Sequence, residues 1–345
     1  MKFLDLFAGI GGFRRGMESA GHECIGFCEI DKFARASYKA IHNTEGEIEL
    51  HDITKVTDDE VRAIGAVDVI CGGFPCQAFS IAGARRGFED TRGTLFFEIA
   101  RFASILKPKY LFLENVKGLL NHDKGNTFET ILSALDELGY DVEWQVLNSK
   151  NFGVPQNRER VFIIGHLRGE RTRNVFPIIR EDAKSDNQQS KIEIVGNTKN
   201  PNGISKGTGS VVYNSNGLVG TLLARDYKEL KQIAIPKIRV KEATEQGYAE
   251  ATIGDSVNLS HPNSKTRRGR VGKQIANTLL TGGSQGVIEQ DFRIRKLTPR
   301  ECWRLQGFPD WAFDKAQKVN SNSQLYKQAG NSVTVNVIEA IAREF

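Results

Sequence analysis

No stretch of the chain reaches the run of about 18 apolar residues that marks a transmembrane helix. The amino terminus goes straight into Lys2-Phe3-Leu4-Asp5-Leu6-Phe7, a strand-like run with no basic and apolar leader before it. A soluble, cytoplasmic protein with no membrane partner is expected. Cysteine is sparse and poorly arranged for cross-linking: there are five, an odd number, and no Cys-x-x-Cys pair. That pattern argues against both a disulfide framework and a zinc site, and no metal is expected. Reduced thiols remain available for nucleophilic chemistry. Charge of one sign is scarce as well, the net being only +5, so overall charge names no partner.

The distribution of charge is more informative. Residues 166–300 carry 23 Lys and Arg against 13 Asp and Glu, net +10, which leaves 24 against 29, net −5, for the remainder. The basic part is the candidate nucleic-acid surface. With 345 residues the chain has the length for one large domain and one smaller one. From about residue 180 the texture turns to Asn, Gly, Ser and Lys with short β-like runs, the mark of a separate β-rich domain. Within it, Asn197, Pro201-Asn202, Gly209-Ser210-Val211 and Thr221-Leu222-Leu223 are echoed by Asn258, Pro262-Asn263, Gly269-Arg270-Val271 and Thr278-Leu279-Leu280, an approximate internal repeat.

The larger domain is organised around Gly72-Gly73-Phe74-Pro75-Cys76-Gln77-Ala78-Phe79-Ser80, which follows the apolar run Val67-Asp68-Val69-Ile70-Cys71. A strand that ends in glycines and a proline is expected to stop there. It presents the next residue at the carboxyl edge of the sheet, where open α/β sheets bind ligands. That residue is Cys76. Pro75 fixes the turn, and Gln77, Phe79 and Ser80 offer no long apolar face to bury a thiol. Cys76 therefore reads as a nucleophile, and Cys24, Cys28, Cys71 and Cys302 as buried and inert.

The other elements fall around it. Residues 3–7 read as a buried strand that turns through Ala8-Gly9-Ile10-Gly11-Gly12 into a helix over 13–20, the opening of a nucleotide-binding fold. The next strand, 24–28, ends in Glu29-Ile30-Asp31; Glu29 is expected to bind ribose hydroxyls and Asp31 to cap a helix over 32–41. Asp52, with Ile53 beside it, either holds an adenine amino group or serves a turn. Residues 80–92 are too polar and glycine-rich for a packed element and read as a mobile loop. A helix over 94–107 leads to a buried strand, 108–113, that ends at Glu114-Asn115-Val116 and brings a carboxyl to the same edge as Cys76. Further on, Arg158 and Arg160 alternate onto one face of a strand, facing the crevice or pairing with Glu159. Thr298, Pro299 and Glu301 form a capping box, and an apolar helix closes the chain and should pack on the first domain.

Phe-Pro-Cys-Gln with its flanks, continued through Ile81-Ala82-Gly83 to Phe88-Glu89-Asp90-Thr91-Arg92-Gly93-Thr94-Leu95-Phe96-Phe97, resembles the catalytic loop of the DNA (cytosine-5)-methyltransferases. The resemblance covers nearly the whole chain outside residues 180–293. It implies an α/β fold, a Rossmann-like S-adenosylmethionine-dependent methyltransferase sheet with an inserted, smaller β-rich target-recognition domain. The implied division is 1–185 for the first part of the catalytic domain, 186–294 for recognition, 295–327 for connecting helices and 328–345 for a segment that returns to the catalytic domain. Carried over position by position, it implies S-adenosylmethionine bound by Phe7, Gly9, Ile10, Gly11, Gly12, Glu29, Ile30, Asp52, Ile53, Gly73, Pro75, Leu95, Asn331, Ser332 and Val333. It implies Cys76 as nucleophile, Glu114 as the acid, and Arg158 and Arg160 as substrate-binding arginines. The implied substrate is a flipped-out cytosine in a short specific sequence of double-stranded DNA. A monomeric modification enzyme of a prokaryotic cell or phage is expected, with room for a cognate restriction endonuclease acting on the same site.

Three rival readings are weaker. An RNA methyltransferase of the same fold sits poorly with the long basic, loop-rich insertion. A binding-only module sits poorly with a thiol, a carboxyl and both arginines all present. A nicotinamide-dependent dehydrogenase fails on the glycine spacing.

Overall fold

The structure, a computed structural model, describes residues 1–75, 95–178, 238–261, 264, 266, 268–279, 281, 284–289 and 298–345, together with the backbone of strands at 194–197, 211–214, 232–234 and 294–296. Cys76, the segment 80–92 and most of the first copy of the internal repeat lie outside the described residues.

Seven strands form the central sheet: β1 (Lys2–Leu6), β2 (Glu23–Cys28), β3 (Ile48–Leu50), β4 (Val69–Gly73), β5 (Tyr110–Val116), β6 (Tyr140–Asn148) and β7 (Glu159–Leu167). Their order is β3-β2-β1-β4-β5-β7-β6. The first five run parallel, and β7 runs antiparallel to both its neighbours. The apolar runs recognised in β1, β4 and β5 are buried almost throughout, as strands covered on both faces must be. Strand order reverses between β1 and β4, and a crevice opens at their carboxyl ends.

The helices of this part are α1 (Gly12–Ser19), α2 (Lys32–Ile41), α3 (Asp58–Ala63), α4 (Leu95–Leu106) and α5 (Asn126–Glu137). After the small sheets come α6 (Pro299–Leu305), α7 (Asp310–Ala316), α8 (Asn322–Asn331) and α9 (Val335–Ala342). One face of the sheet buries Ile99, Phe102 and Ala103 of α4 with Ile131 and Leu135 of α5. The other buries Phe13 and Met17 of α1 with Val337, Ile338 and Ile341 of α9. The closing apolar helix thus returns to the first strands of the chain. It lies so close to α1 that a Cβ at Gly16 would stand 2.6 Å from Ile338 Cβ.

Among the described residues nine further strands follow in chain order: β8 (Ile194–Asn197), β9 (Val211–Asn214), β10 (Gln232–Ala234), β11 (Ile238–Lys241), β12 (Tyr248–Ala251), β13 (Ser256–Asn258), β14 (Val271–Gly272), β15 (Gln285–Ile288) and β16 (Ile294–Lys296). They form sheets of three, two and four strands, which accords with a β-rich insertion. In both copies of the internal repeat the strand carrying the asparagine pairs antiparallel with the strand opened by the Gly-x-Val valine: Asn197 with Val211, and Val257, next to Asn258, with Val271.

β4 ends in its two glycines as expected, with Gly72 and Gly73 as its last residues paired to Leu113 and Glu114 of β5. A glycine keeps its N–H and carbonyl and so pairs to the end of the ladder, and Pro75, which lacks a donor, does not extend it. β5 ends at Glu114-Asn115-Val116, also as expected. In the insertion Arg270 is buried, and its guanidinium donates to the Asn258 and Lys241 carbonyls.

Candidate active site and cofactor cavity

A cavity of about 510 Å³ lies at the carboxyl ends of β1, β2, β4 and β5, within the size range of small-molecule sites. One lobe is built by the turn after β1. Phe7, Gly9 and Gly11 take left-handed φ values of 56°, 57° and 84°, a conformation that folds the turn tightly enough for Gly11 N to donate to Ala8 O at 2.8 Å. Glu29, at the end of β2, has one carboxylate oxygen on Gly9 N at 2.8 Å and the other on Asp31 N at 2.7 Å. Its head is fixed at the cavity wall with lone pairs to spare.

Asp31 caps α2, accepting from Phe33 N at 2.8 Å and Ala34 N at 3.3 Å, and its second oxygen meets Lys327 Nζ at 2.7 Å. Partial burial works against its ionisation, but Lys327 and the two amides outweigh it and hold the carboxyl below its ordinary value. Asp52 serves the turn and lines the cavity. Its Oδ1 takes Thr54 N and Thr54 Oγ1, capping the short 3-10 turn Ile53–Lys55, while the residue also lines the cavity. Ile53 is buried at the wall, Ile30 is 68% exposed at the rim, and Leu95 closes the far side.

The second lobe lies where β4 and β5 end together. Gly73 stands opposite Glu114, and a Cβ on it would sit 3.2 Å from Glu114 Oε2. Asn115 Nδ2 donates to Phe74 O at 2.9 Å, tying the two strand ends. Pro75, the residue before Cys76, lines the same cavity.

Glu114 is buried with Arg160 Nε 2.9 Å from its Oε1, yet among the described residues that oxygen has no aligned hydrogen-bond donor. Burial pushes the carboxyl above its ordinary value, and Arg160 and Arg158 pull it down without cancelling the effect. Arg158 enters just before β7 and is 3% exposed. Its guanidinium donates to Ser332 O at 2.8 Å, and its Nε has no partner among the described residues. Burial first, then the charge of Arg160, pushes Arg158 down to about 9, so it stays cationic at neutral pH. Glu159, the rival partner for both arginines, instead pairs with Lys117 at 3.0 Å. Two cations, a buried acid raised above its ordinary value and, among the described residues, two buried polar atoms without an aligned hydrogen-bond partner thus meet at this end of the cavity.

Most of the expected cofactor set lines this cavity: Phe7, Gly9, Ile10, Glu29, Ile30, Asp52, Ile53, Gly73, Pro75, Leu95 and Asn331. Gly11, Gly12, Ser332 and Val333 do not; they stand behind it. A Cβ at Gly12 would meet Val333 Cγ2 at 2.7 Å, and one at Gly11 would meet His42 Nε2 at 2.2 Å, so both glycines are required by packing. Lys327, Gln328 and Asn115 line the cavity without having been singled out. The signal for them is adjacency, since Asn115 follows Glu114 and Lys327-Gln328 precedes the Gly330-Asn331 turn. The other cysteines, Cys24, Cys28, Cys71 and Cys302, are all buried. Burial drives Cys24, Cys28 and Cys302 up to about 12 and Cys71 well above its ordinary value, which leaves them unreactive thiols.

The model of the C-5 cytosine-specific DNA methylase family matches residues 1–345. Type II methyltransferase M.HpaII of Haemophilus parainfluenzae is 39% identical, over 99% of this chain and 88% of that protein. Type II methyltransferase M.HhaI of Haemophilus parahaemolyticus is 37% identical, over 99% and 93%. Orphan methyltransferase M.SPRI of Bacillus phage SPR is 34% identical, over 100% and 97%. Among solved structures, an E. coli prophage protein assigned as a DNA modification methyltransferase superposes with a TM-score of 0.59 at 21% identity, covering 100% of this chain and 98% of that one. S. pombe Dnmt2 methyltransferase does so with a TM-score of 0.52 at 17% identity, covering 99% and 96%. These two likenesses show the fold. The family model over the full length and the three relatives show the rest: the chain belongs to the C-5 cytosine-specific DNA methylases and is a DNA (cytosine-5)-methyltransferase.

Proposed function

We propose that the chain transfers a methyl group from S-adenosylmethionine to carbon 5 of a cytosine flipped out of a short specific duplex sequence, through a covalent adduct at Cys76. The observation that carries this reading is the buried Glu114, its carboxyl pushed above its ordinary value by burial, set beside Arg158 and Arg160 at the end of the strand that pairs with β4, the strand that Cys76 follows by three residues of sequence.

Carbon 5 of cytosine is a poor nucleophile until the ring is made electron-rich. Addition of the Cys76 thiolate to carbon 6 does this, while Glu114 donates to ring nitrogen 3 so that the adduct is an enamine rather than an anion. Arg158 and Arg160 hold the base carbonyl and favour the thiolate. S-adenosylmethionine supplies the electrophilic methyl group. In the first lobe Glu29 offers its free lone pairs to ribose hydroxyls and Asp52 one oxygen to an adenine amino group, with Ile30 and Ile53 against the ring. Loss of the carbon 5 proton then expels the thiol. None of these ring atoms is reachable in stacked duplex, so the base must leave the helix, and residues 80–92 are placed in sequence to close behind it. The basic insertion supplies sequence recognition, and a cognate restriction endonuclease reading the same site fits the type II relatives.

Bisulfite sequencing of plasmid DNA from cells expressing the chain is expected to give 5-methylcytosine at one short sequence. Cys76→Ser is expected to abolish methylation while DNA binding survives. The wild type should also form a denaturation-resistant complex with plasmid DNA substituted with 5-fluorocytosine, because fluorine cannot leave as a proton does. Absence of that complex on DNA the enzyme methylates would remove the thiol mechanism.

A further inference from the structure

Arg158 and Arg160 follow closely on a buried glutamine to which the mechanism gives no task. Gln156 has no exposed surface, and its amide is engaged in both directions. Nε2 donates to Leu305 O at the end of α6, at 2.8 Å, and Oε1 accepts from Leu279 N at 3.2 Å. The surrounding backbone is bridged to the same partner segment: Ala276 N donates to Pro155 O at 2.7 Å and Asn157 N to Ala276 O at 2.9 Å. Thr278 Oγ1 adds a bond to Asn157 O at 2.9 Å. Residues 276–279 connect β14 to β15 in the basic insertion. This strap is thus stitched to the three residues immediately before Arg158.

A second run of buried polar groups leads from Gln156 to the arginine itself. Gln306 Oε1 lies 3.5 Å from Gln156 Nε2 and accepts from Thr334 Oγ1 at 3.0 Å. Thr334 Oγ1 is 2.8 Å from Ser149 Oγ, and Ser149 N and Oγ both donate to Arg158 O, at 3.0 and 3.3 Å. Gln156, Gln306, Thr334 and Ser149 are all buried. A fully partnered polar network in low dielectric is rigid and has one register, whereas apolar packing at the same junction would tolerate sliding.

We propose that Gln156 is a positioning residue that ties the strap at 276–279 to the segment bearing Arg158 and Arg160, so that seating of the recognition region sets the arginines against Glu114. The inference rests on the reading of those arginines as base-binding. It accounts for a buried amide whose two ends serve a helix end and the insertion rather than its own segment. A strap displaced by a mismatched duplex would withdraw Leu279 N and Ala276 from residues 155–157, and the arginines would lose their register.

Wild type and Gln156→Ala are compared on unmethylated plasmid DNA with tritiated S-adenosylmethionine, with rates counted per cofactor-binding chain so that unfolded protein drops out. The single-turnover rate is expected to fall at least about tenfold, with the KM for DNA and for cofactor within about threefold of wild type. The share of methyl groups at sites other than the wild-type sequence is expected to rise severalfold. Transfer within about threefold of wild type, or a fall shared equally by all sites, would overturn the coupling. Gln156→Glu keeps the volume and the oxygen facing Leu279 N but loses the donor to Leu305 O; if the alanine variant fails to retain cofactor, it decides by the same readouts. Arg160→Ala separates the two readings. If it transfers at the wild-type rate, base binding by the arginines fails; if it is slow and the Gln156 variants are not, the coupling alone fails.

Discussion

Glu114 is the residue at which burial and charge oppose each other most directly. Loss of water favours the neutral acid, while Arg160 at 2.9 Å and Arg158 favour the anion, and burial prevails. A carboxyl raised above its ordinary value holds its proton to higher pH, and in that form it can hydrogen-bond a ring nitrogen and release the proton as charge develops there. Glu114→Gln keeps the shape and removes the acid, so the single-turnover rate is expected to fall by about two to three orders of magnitude, the roughly 3–4 kcal/mol of a lost transition-state donor. Cofactor affinity should change little. A loss of less than about tenfold, worth 1.4 kcal/mol, would make Glu114 structural. The sign of the pH dependence follows: activity that needs the acid is present below its raised folded pKa and lost as pH rises through it. The glutamine variant should lack that limb. Glu114's place is legible in the sequence because an apolar strand ending in an acid puts it at the sheet's edge. The shift of its pKa is not legible, since that comes from burial by distant parts of the chain, opposed by the arginines that β7 and the residues before it bring in.

The glycine turn after β1 shows the same division at the scale of an element. Strand, glycines and helix can be read locally, and α2 spans the residues expected, with Asp31 as its cap. The support beneath the turn cannot be read, because it comes from the far end of α2. His42 is buried there, its Nε2 donates to Ile10 O at 3.3 Å, and its ring lies against Tyr38 with centroids 4.7 Å apart. Burial, together with the charges of Arg14, Arg15 and Lys315, pushes His42 down to about 3. A depressed folded value means the folded state refuses a proton that the unfolded chain accepts near pH 6.5. Stability is therefore full above that pH and declines as pH falls toward 3. Between pH 8 and 5.5 this one group is expected to remove about 1.4 kcal/mol. Urea unfolding of wild type and His42→Gln at both pH values checks it. The wild type should lose about that much more than the variant, and equal losses would show that His42 titrates normally.

Across the whole molecule the sequence separates an acidic remainder from a basic stretch, and the structure shows why charge cannot be mapped onto function residue by residue. Arg270 and Lys273 sit in the basic run that sequence texture assigns to DNA reading. Arg270 is turned inward onto carbonyls, and Lys273 Nζ pairs with the buried Asp255 at 2.8 Å. They hold β13 and β14 in place. Arg268 is exposed, and among the described residues its guanidinium is engaged through Nε alone, on Ala243 O at 2.8 Å, which leaves its charge facing solvent. Periodicity and composition cannot tell these cases apart, because which side chain turns inward is decided by carbonyls and acids distant in the chain. Phosphate contacts act on all DNA alike and release counterions, so each one lost lowers the slope of log affinity against log salt by about 0.9. Neutralising Arg267 and Arg268 together, each to glutamine, is therefore expected to weaken binding to target and non-target duplexes equally and to reduce that slope by nearly 2, if both meet phosphates. Arg270→Gln is expected to do the reverse. It leaves buried carbonyls without a donor, lowers the unfolding temperature, and leaves the slope of the folded fraction unchanged. Filter binding across a salt series, with thermal unfolding on the same samples, distinguishes the two. A slope unmoved by the double substitution would take Arg267 and Arg268 out of the DNA interface and leave the basic surface to other residues of the insertion.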